Sequence, residues 1–145
     1  MLKVDAIENG TVIDHIKAGK GQKVLGLLGI DDKFESRVAL VANVASKKLG
    51  KKDIVKIENV NVSNELANLI ALIAPNASIN IIKGSEVANK FQVSPPKELK
   101  SVGICPNPNC ITNVELAEKY FNNEENDKYR CHYCERVFVA EELVR

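Results

Sequence analysis

The sequence predicts an α+β fold: an antiparallel sheet with two helices on one face, followed by a small all-β module that holds every cysteine. Three observations carry this. Strand-like and helix-like apolar patterns alternate through the first 94 residues in the order βαββαβ. The run Ser94-Pro95-Pro96-Lys97 then breaks the pattern, since proline lacks an N–H and restricts its predecessor. All four cysteines follow that break, in two close pairs. The division expected is a first domain over 1–94, a linker over 95–100 and a second domain over 101–145.

Taken in order, Leu2–Glu8 and Thr11–Ile16 read as strands around the turn pair Asn9-Gly10, an extra hairpin or bend in the first strand region. Lys17–Lys23 reads as loop, with Gly19 and Gly21. The spacing of Val24-Leu25 and Leu27-Leu28 predicts a short helix closed near Gly29. Arg37–Val44, nearly continuous in apolar residues, predicts a buried strand. Gly50 punctuates, and Asp53–Val62 is β-branched at Ile54, Val55, Ile57, Val60 and Val62. Ser63 is the expected N-cap of a second helix, with Glu65 in its first turn. Leu66, Leu69, Ile70 and Ile73 form its apolar stripe, and Pro75 stops it. Ser78–Ile82 and Glu86–Val93 close the sheet as two strands joined at Lys83-Gly84-Ser85.

The cysteines read Cys105-Pro-Asn-Pro-Asn-Cys110, then twenty residues, then Cys131-His-Tyr-Cys134. Two close pairs separated by enough chain for a hairpin suit a tetrahedral thiolate zinc site. The alternative is two disulfides. The 104 residues before Cys105 lack cysteine and nothing at the N-terminus reads as a secretory signal, so metal is the expectation. Four thiolates leave no open position for water or substrate, which makes the expected role structural. About 45 residues cannot build a self-sufficient core. The apolar candidates are Val102, Ile104, Ile111, Val114, Tyr129, Val137, Phe138, Val139 and Leu143. Metal is therefore expected to supply folding free energy on the order of 10 kcal/mol. Asn122–Asp127 reads as a solvated turn between strands.

The chain has 145 residues, 45% of them hydrophobic and 27% charged, with a net charge of +1. Residues 1–95 carry 13 Lys/Arg against 10 Asp/Glu, and residues 96–145 carry 7 against 9. A mildly acidic cysteine module argues against a grip on a phosphate backbone. No apolar run is long enough to span a bilayer, so no membrane partner and a cytoplasmic location are expected.

Catalytic signatures are absent: there is no G-x-S-x-G, P-loop, G-x-G-x-x-G or H-E-x-x-H, and Gly19-Lys20-Gly21 is too short to be a phosphate loop. His132 sits inside the second cysteine knuckle and reads as solvent-facing, since four thiolates already complete a metal site. Asp14 and His15 are adjacent on a strand, so they face opposite ways unless the strand kinks. Lys47, Lys48, Lys51, Lys52 and Lys56 form a basic cluster. Lys52 and Lys56 share a strand face roughly 13 Å apart, which could bracket a nucleotide, or simply protect a solvated edge.

These segments together resemble the regulatory chain of aspartate carbamoyltransferase, in an archaeal or bacterial form. The resemblance rests on Gly10-Thr-Val-Ile-Asp-His-Ile16, Gly50-Lys-Lys-Asp-Ile-Val-Lys-Ile-Glu-Asn59, Ala74-Pro75, Cys105-Pro-Asn-Pro-Asn-Cys110-Ile and Cys131-x-Tyr-Cys134. It implies a non-catalytic subunit with a ferredoxin-like, nucleotide-binding allosteric domain. The second domain would be of rubredoxin-like or zinc-ribbon type, holding one structural zinc through Cys105, Cys110, Cys131 and Cys134 and docking on the catalytic chain. Further implied are a homodimer of regulatory chains within a dodecameric assembly, and effectors ATP, CTP and UTP. Position by position, the effector site would take Val4, Asp5, Ile7, Asp14, His15, Lys52, Lys56, Asn80, Ile82, Val87 and Lys90. The counterparts of Lys90 and His15 lie towards the phosphates, and those of Asp14 and Lys56 towards ribose and base. The chain departs from the familiar pattern at Asp5, where glutamate is usual, and at Ser85, where tyrosine can join the base pocket.

Two other classes compete with this reading. A nucleic-acid-binding zinc-ribbon protein is the alternative, opposed by the acidic second domain, by few stacking candidates near the cysteines (Tyr129, Tyr133, Phe138), and by the presence of only four arginines. A zinc enzyme is opposed by the closed four-thiolate site.

Overall fold

The computed structural model describes residues 8–30, 33–47, 49–100, 103–115, 117–125 and 127–144, apart from the Glu65 side chain. The strands of the first domain are β1 (Gly10–Lys17), β2 (Val38–Ser46), β3 (Gly50–Glu58), β4 (Ser78–Lys83) and β5 (Glu86–Gln92). Helix α1 (Gly21–Leu27) follows β1, and α2 (Asn64–Ile73) follows β3. All neighbours pair antiparallel in the order β2-β3-β1-β4-β5. Without β5 this is the ferredoxin-like arrangement, in which the two halves of βαββαβ interleave. The fifth strand adds an edge by a hairpin from β4. The expected strand Leu2–Glu8 lies outside the described residues except for Glu8.

Alternation decides which face is buried. Ile13 and Ile16 of β1, Val55 and Ile57 of β3, and Ile79 of β4 pack with Val24 of α1 and with Ala67, Ile70, Ala71 and Ile73 of α2. Gly10 sits at φ +152°, and a Cβ there would run into the Ile57 carbonyl oxygen, so the start of β1 requires glycine. Ser63 caps α2 as expected: its hydroxyl accepts the Leu66 N–H at 3.2 Å, a bond worth about 1 kcal/mol.

Two expectations need correction. Arg37–Val44 reads as buried, yet β2 is an edge strand that exposes Ala42, Asn43 and Ala45. Valine and alanine suit a half-covered edge as well as a centre, so their run does not distinguish the two. On α2, Leu66 and Leu69 are only half-buried, whereas Ala67, Ala71 and Leu72 are buried. The helix lies between two cores and needs two apolar faces rather than one stripe.

The second domain is a four-stranded antiparallel sheet in the order β6 (Glu98–Lys100), β7 (Tyr120–Asn123), β8 (Lys128–Cys131), β9 (Val137–Val139). One helical turn, α3 (Ile111–Val114), follows Cys110, and a 3₁₀ turn covers Ala140–Leu143. Residues 98–100 of the expected linker thus form a strand, held by the burial of Leu99. The core is Leu99, Phe121, Tyr129, Ala140 and Leu143, three cysteines, and Leu72 from α2. Val102 lies outside the described residues. Ile111 and Val114 of α3 and Val137 and Val139 of the edge strand β9, expected inside, are exposed, because a single helical turn and a sheet with one short covered face leave their outer sides to solvent. The Tyr129 hydroxyl donates to the Pro96 carbonyl at 2.7 Å and so fastens the proline run to this core.

The two domains also meet through charge. The Glu141 carboxylate in the 3₁₀ turn takes the ammonium groups of Lys20, at 2.6 Å, and Lys23. Beside them lies a cleft of about 290 Å³, walled by Leu27, Ile73 and Val144. Among the described residues no helix is long and apolar enough to cross a membrane.

Candidate functional site

The cysteine centre is built by two turns. Asn107, buried between two prolines, accepts the Asn109 N–H on its side-chain oxygen and the Cys110 N–H on its carbonyl, which curls Cys105–Cys110 back on itself. The Asn113 amide then donates to the carbonyls of Cys105 and Asn107 at 2.9 and 2.8 Å. In the second knuckle, the Glu135 N–H donates to the Cys131 carbonyl, and Glu135 takes φ +60° to close the turn.

These turns bring the four sulfurs within 4.8 Å of one another. Cys105 Sγ to Cys134 Sγ and Cys110 Sγ to Cys131 Sγ are each 3.7 Å. A disulfide would need about 2.05 Å. A tetrahedron of thiolates about 2.3 Å from a central ion has edges of about 3.8 Å, so the donor set fits a four-coordinate soft metal. All four thiols are free, and Cys105, Cys110 and Cys131 are buried. The four cysteines therefore form a centre for a structural metal ion.

The thiols are not equivalent. Burial opposes ionisation of Cys110, but the Thr112 hydroxyl, donating to its sulfur at 3.1 Å, and the Thr112 amide outweigh it and lower the thiol to about 7. Burial pushes Cys105 and Cys131 up. Binding a metal through all four sulfurs must expel the thiol protons. His132 lies outside the sulfur cluster, exposed and set edge-on between Tyr120 and Tyr133, with ring centroids 5.3 Å away on each side.

The second candidate site is the face of the first sheet opposite the helices. Lys56, Val12, Asn80 and Lys90 are successive cross-strand partners, and such partners share a face. One step along, Lys52 Nζ reaches the Asp14 carboxylate at 3.0 and 3.2 Å. Partial burial opposes ionisation of Asp14, but Lys52 and the His15 amide outweigh it and hold the carboxyl below its ordinary value.

His15 joins this face because β1 does kink. Its φ is +58°, and the β1–β3 register slips between Ile13 and Ile16, which returns Ile16 to the core. His15 Nδ1 then lies 3.3 Å from Ser78 Oγ, on the residue paired with Asp14. Ile82 and Val87 pair at the far end of β4–β5, the first buried and the second exposed. Val4, Asp5 and Ile7 lie outside the described residues.

Sequence reasoning missed Asp53. It is 2% exposed, and its Oδ2 accepts the N–H of Gly19 (3.1 Å) and Gly21 (3.0 Å) while Oδ1 accepts that of Asn43 (3.1 Å). The available signal was its phase, since Asp53, Val55 and Ile57 alternate on the core face of β3. Gly21 lies close beside it: a Cβ there would press on the Leu40 methyl and on the Asp53 carboxylate, and both would have to shift.

Comparison with known proteins agrees with both halves of this architecture. Residues 2–94 match the family model described as aspartate carbamoyltransferase regulatory chain, allosteric domain. Residues 97–144 match the same family's metal binding domain. The aspartate carbamoyltransferase regulatory chain of Thermococcus gammatolerans is 48% identical over 145 residues, covering 99% of this chain and 96% of the relative. That of Pyrococcus horikoshii is 50% identical with the same coverage, and that of Pyrobaculum arsenaticum is 50% identical, covering 99% and 97%. The chain belongs to the family of aspartate carbamoyltransferase regulatory chains, non-catalytic subunits with an allosteric and a metal-binding domain.

Proposed function

We propose that residues 1–94 bind nucleotide effectors, ATP, CTP and UTP, on the open face of the first sheet. On the same reading, residues 101–145 hold one zinc ion and dock on the catalytic chain of aspartate carbamoyltransferase in pyrimidine biosynthesis. Two regulatory chains pair, and the dimers join catalytic trimers in a dodecamer. The carrying observation is the cross-strand row of Lys56, Asn80 and Lys90 beside the Asp14–Lys52 pair. It sets cations, a carboxylate and an amide on the sheet face opposite the helices, the groups that a polyphosphate, a ribose and a base would each use.

In this reading Lys90 and His15 face the phosphates, while Asp14 and Lys56 meet ribose and base. Lys52 supports both through its contact with Asp14. Val4, Asp5, Ile7, Ile82 and Val87 complete the pocket. A nucleotide regulates by binding one global state of the assembly better than the other.

Calorimetric titration of the full chain with ATP, CTP and UTP tests this. We expect saturable binding, weakened about tenfold by Lys56→Ala, the loss of one charge-assisted contact, with the metal content unchanged. Unchanged affinity in Lys56→Ala would remove that residue from the site. Elemental analysis giving one zinc per chain would identify the metal, and another element would correct it.

A further inference from the structure

We infer that Asp53 is a positioning residue that links nucleotide occupancy on the sheet face to the contact between the two domains. The inference rests on the nucleotide reading above. Its basis is that consecutive residues of β3 serve opposite faces. Lys52 pairs with Asp14 on the open face, whereas the Asp53 carboxylate is buried on the core face.

What Asp53 holds matters more than that it is buried. Its Oδ2 accepts the amides of Gly19 and Gly21, the residues on either side of Lys20. Lys20 in turn places its ammonium 2.6 Å from Glu141 of the second domain, and Lys23, in the helix that Gly21 opens, reaches the same oxygen. Asp53 Oδ1 accepts Asn43 N–H, where β2 bulges against β3. The β1 bulge at Asp14–His15 lies on the opposite side of β3. The β2 bulge and the Gly19–Gly21 loop are therefore referenced to one carboxylate, on the residue that pairs with Ile16 just past the β1 bulge.

A nucleotide whose ribose hydroxyls donate to Asp14 competes with Lys52 for that carboxylate and so acts at the β1 bulge. The loop that follows this bulge carries Lys20. Because Asp53 grips the loop on both sides of Lys20, a shift of β3 is transmitted to the ammonium that meets Glu141. A carboxylate that merely stapled the loop would stabilise the fold without making nucleotide affinity depend on Glu141.

A double-mutant cycle separates these roles: nucleotide dissociation constants for the full-length, metal-loaded wild type, Glu141→Gln, Asp53→Asn and the double variant, with ATP and CTP as probes. Glu141→Gln is expected to change affinity by about threefold or more with Asp53 present and by less than about 1.5-fold in the Asp53→Asn background, since linkage between sites is reciprocal. Nucleotide binding that ignores Glu141→Gln overturns the inference and leaves the effector site standing. A shift that survives Asp53→Asn overturns the role of Asp53. Absence of any nucleotide binding removes the effector site itself, and this inference with it. Should Asp53→Asn fail to fold, the backbone amide resonances of Gly19 and Gly21 carry the test. ATP and Glu141→Gln must each shift both, and amides that stay put under ATP overturn the link.

Discussion

The first domain is held by aliphatic packing, the second by sulfur and a borrowed leucine. In the first, among the described residues, isoleucine, valine and alanine from three strands, two helices and the segments that flank them form one cluster of thirteen buried residues. In the second, three of the nine buried residues are cysteines and a fourth, Leu72, belongs to α2 of the first domain. Both are antiparallel sheets, but only the first packs two helices across its central strands. The lesson is that a sheet this small substitutes metal–thiolate bonds for the missing layer, and that α2 is the wall both cores share.

The largest break in the comparison should come from Cys110→Ala. It removes a ligand and with it stabilisation on the order of 10 kcal/mol, so the second domain should unfold while the first remains. The chain has no tryptophan, and its three tyrosines, Tyr120, Tyr129 and Tyr133, all lie in the second domain. Near-ultraviolet tyrosine dichroism therefore reports that domain, and it should collapse while the helical far-ultraviolet signal of α2 survives. Next comes Leu72→Ala, expected to cost about 3 kcal/mol through the cavity it leaves. It should lower the melting temperature of the tyrosine signal with metal still bound, whereas Ile70→Ala should weaken the first domain.

The smallest effect belongs to the ion pairs across the interface. Lys20 and Lys23 hold Glu141 below the ordinary carboxylate value. A lowered pKa in the folded state means that the contribution is present above the ordinary value of 4.5 and is lost as pH falls through the lowered one. Wild type should therefore exceed Glu141→Gln in stability by under about 1 kcal/mol near neutrality, and the gap should close in acid. A gap that widens in acid would contradict the pairing.

Much of this was legible because it is local. Ser63 and Pro75 bound α2 through capping and a missing N–H, and the spacing of two cysteine pairs, with no cysteine in the 104 residues before them, announces a four-thiolate centre. What escaped depends on tertiary context. Leu72 reads as off the stripe until a second core packs behind α2, and Arg37–Val44 reads as central until the sheet order makes it an edge. The pairing of Asp14 with His15 on one face needs a bulge, and no residue there demands one. Asp53 was within reach, since a carboxylate in phase with Val55 and Ile57 must find buried donors.

If the metal-held domain is the part that joins this chain to its enzyme, assembly must depend on the metal. Size-exclusion chromatography with light scattering decides this, using the chain mixed with the catalytic trimer of aspartate carbamoyltransferase from the same organism, before and after metal removal. A large assembly should form with metal and be lost on chelation while the first domain stays folded. Assembly that persists in metal-free protein, or no assembly with metal bound, would show that the joint lies elsewhere.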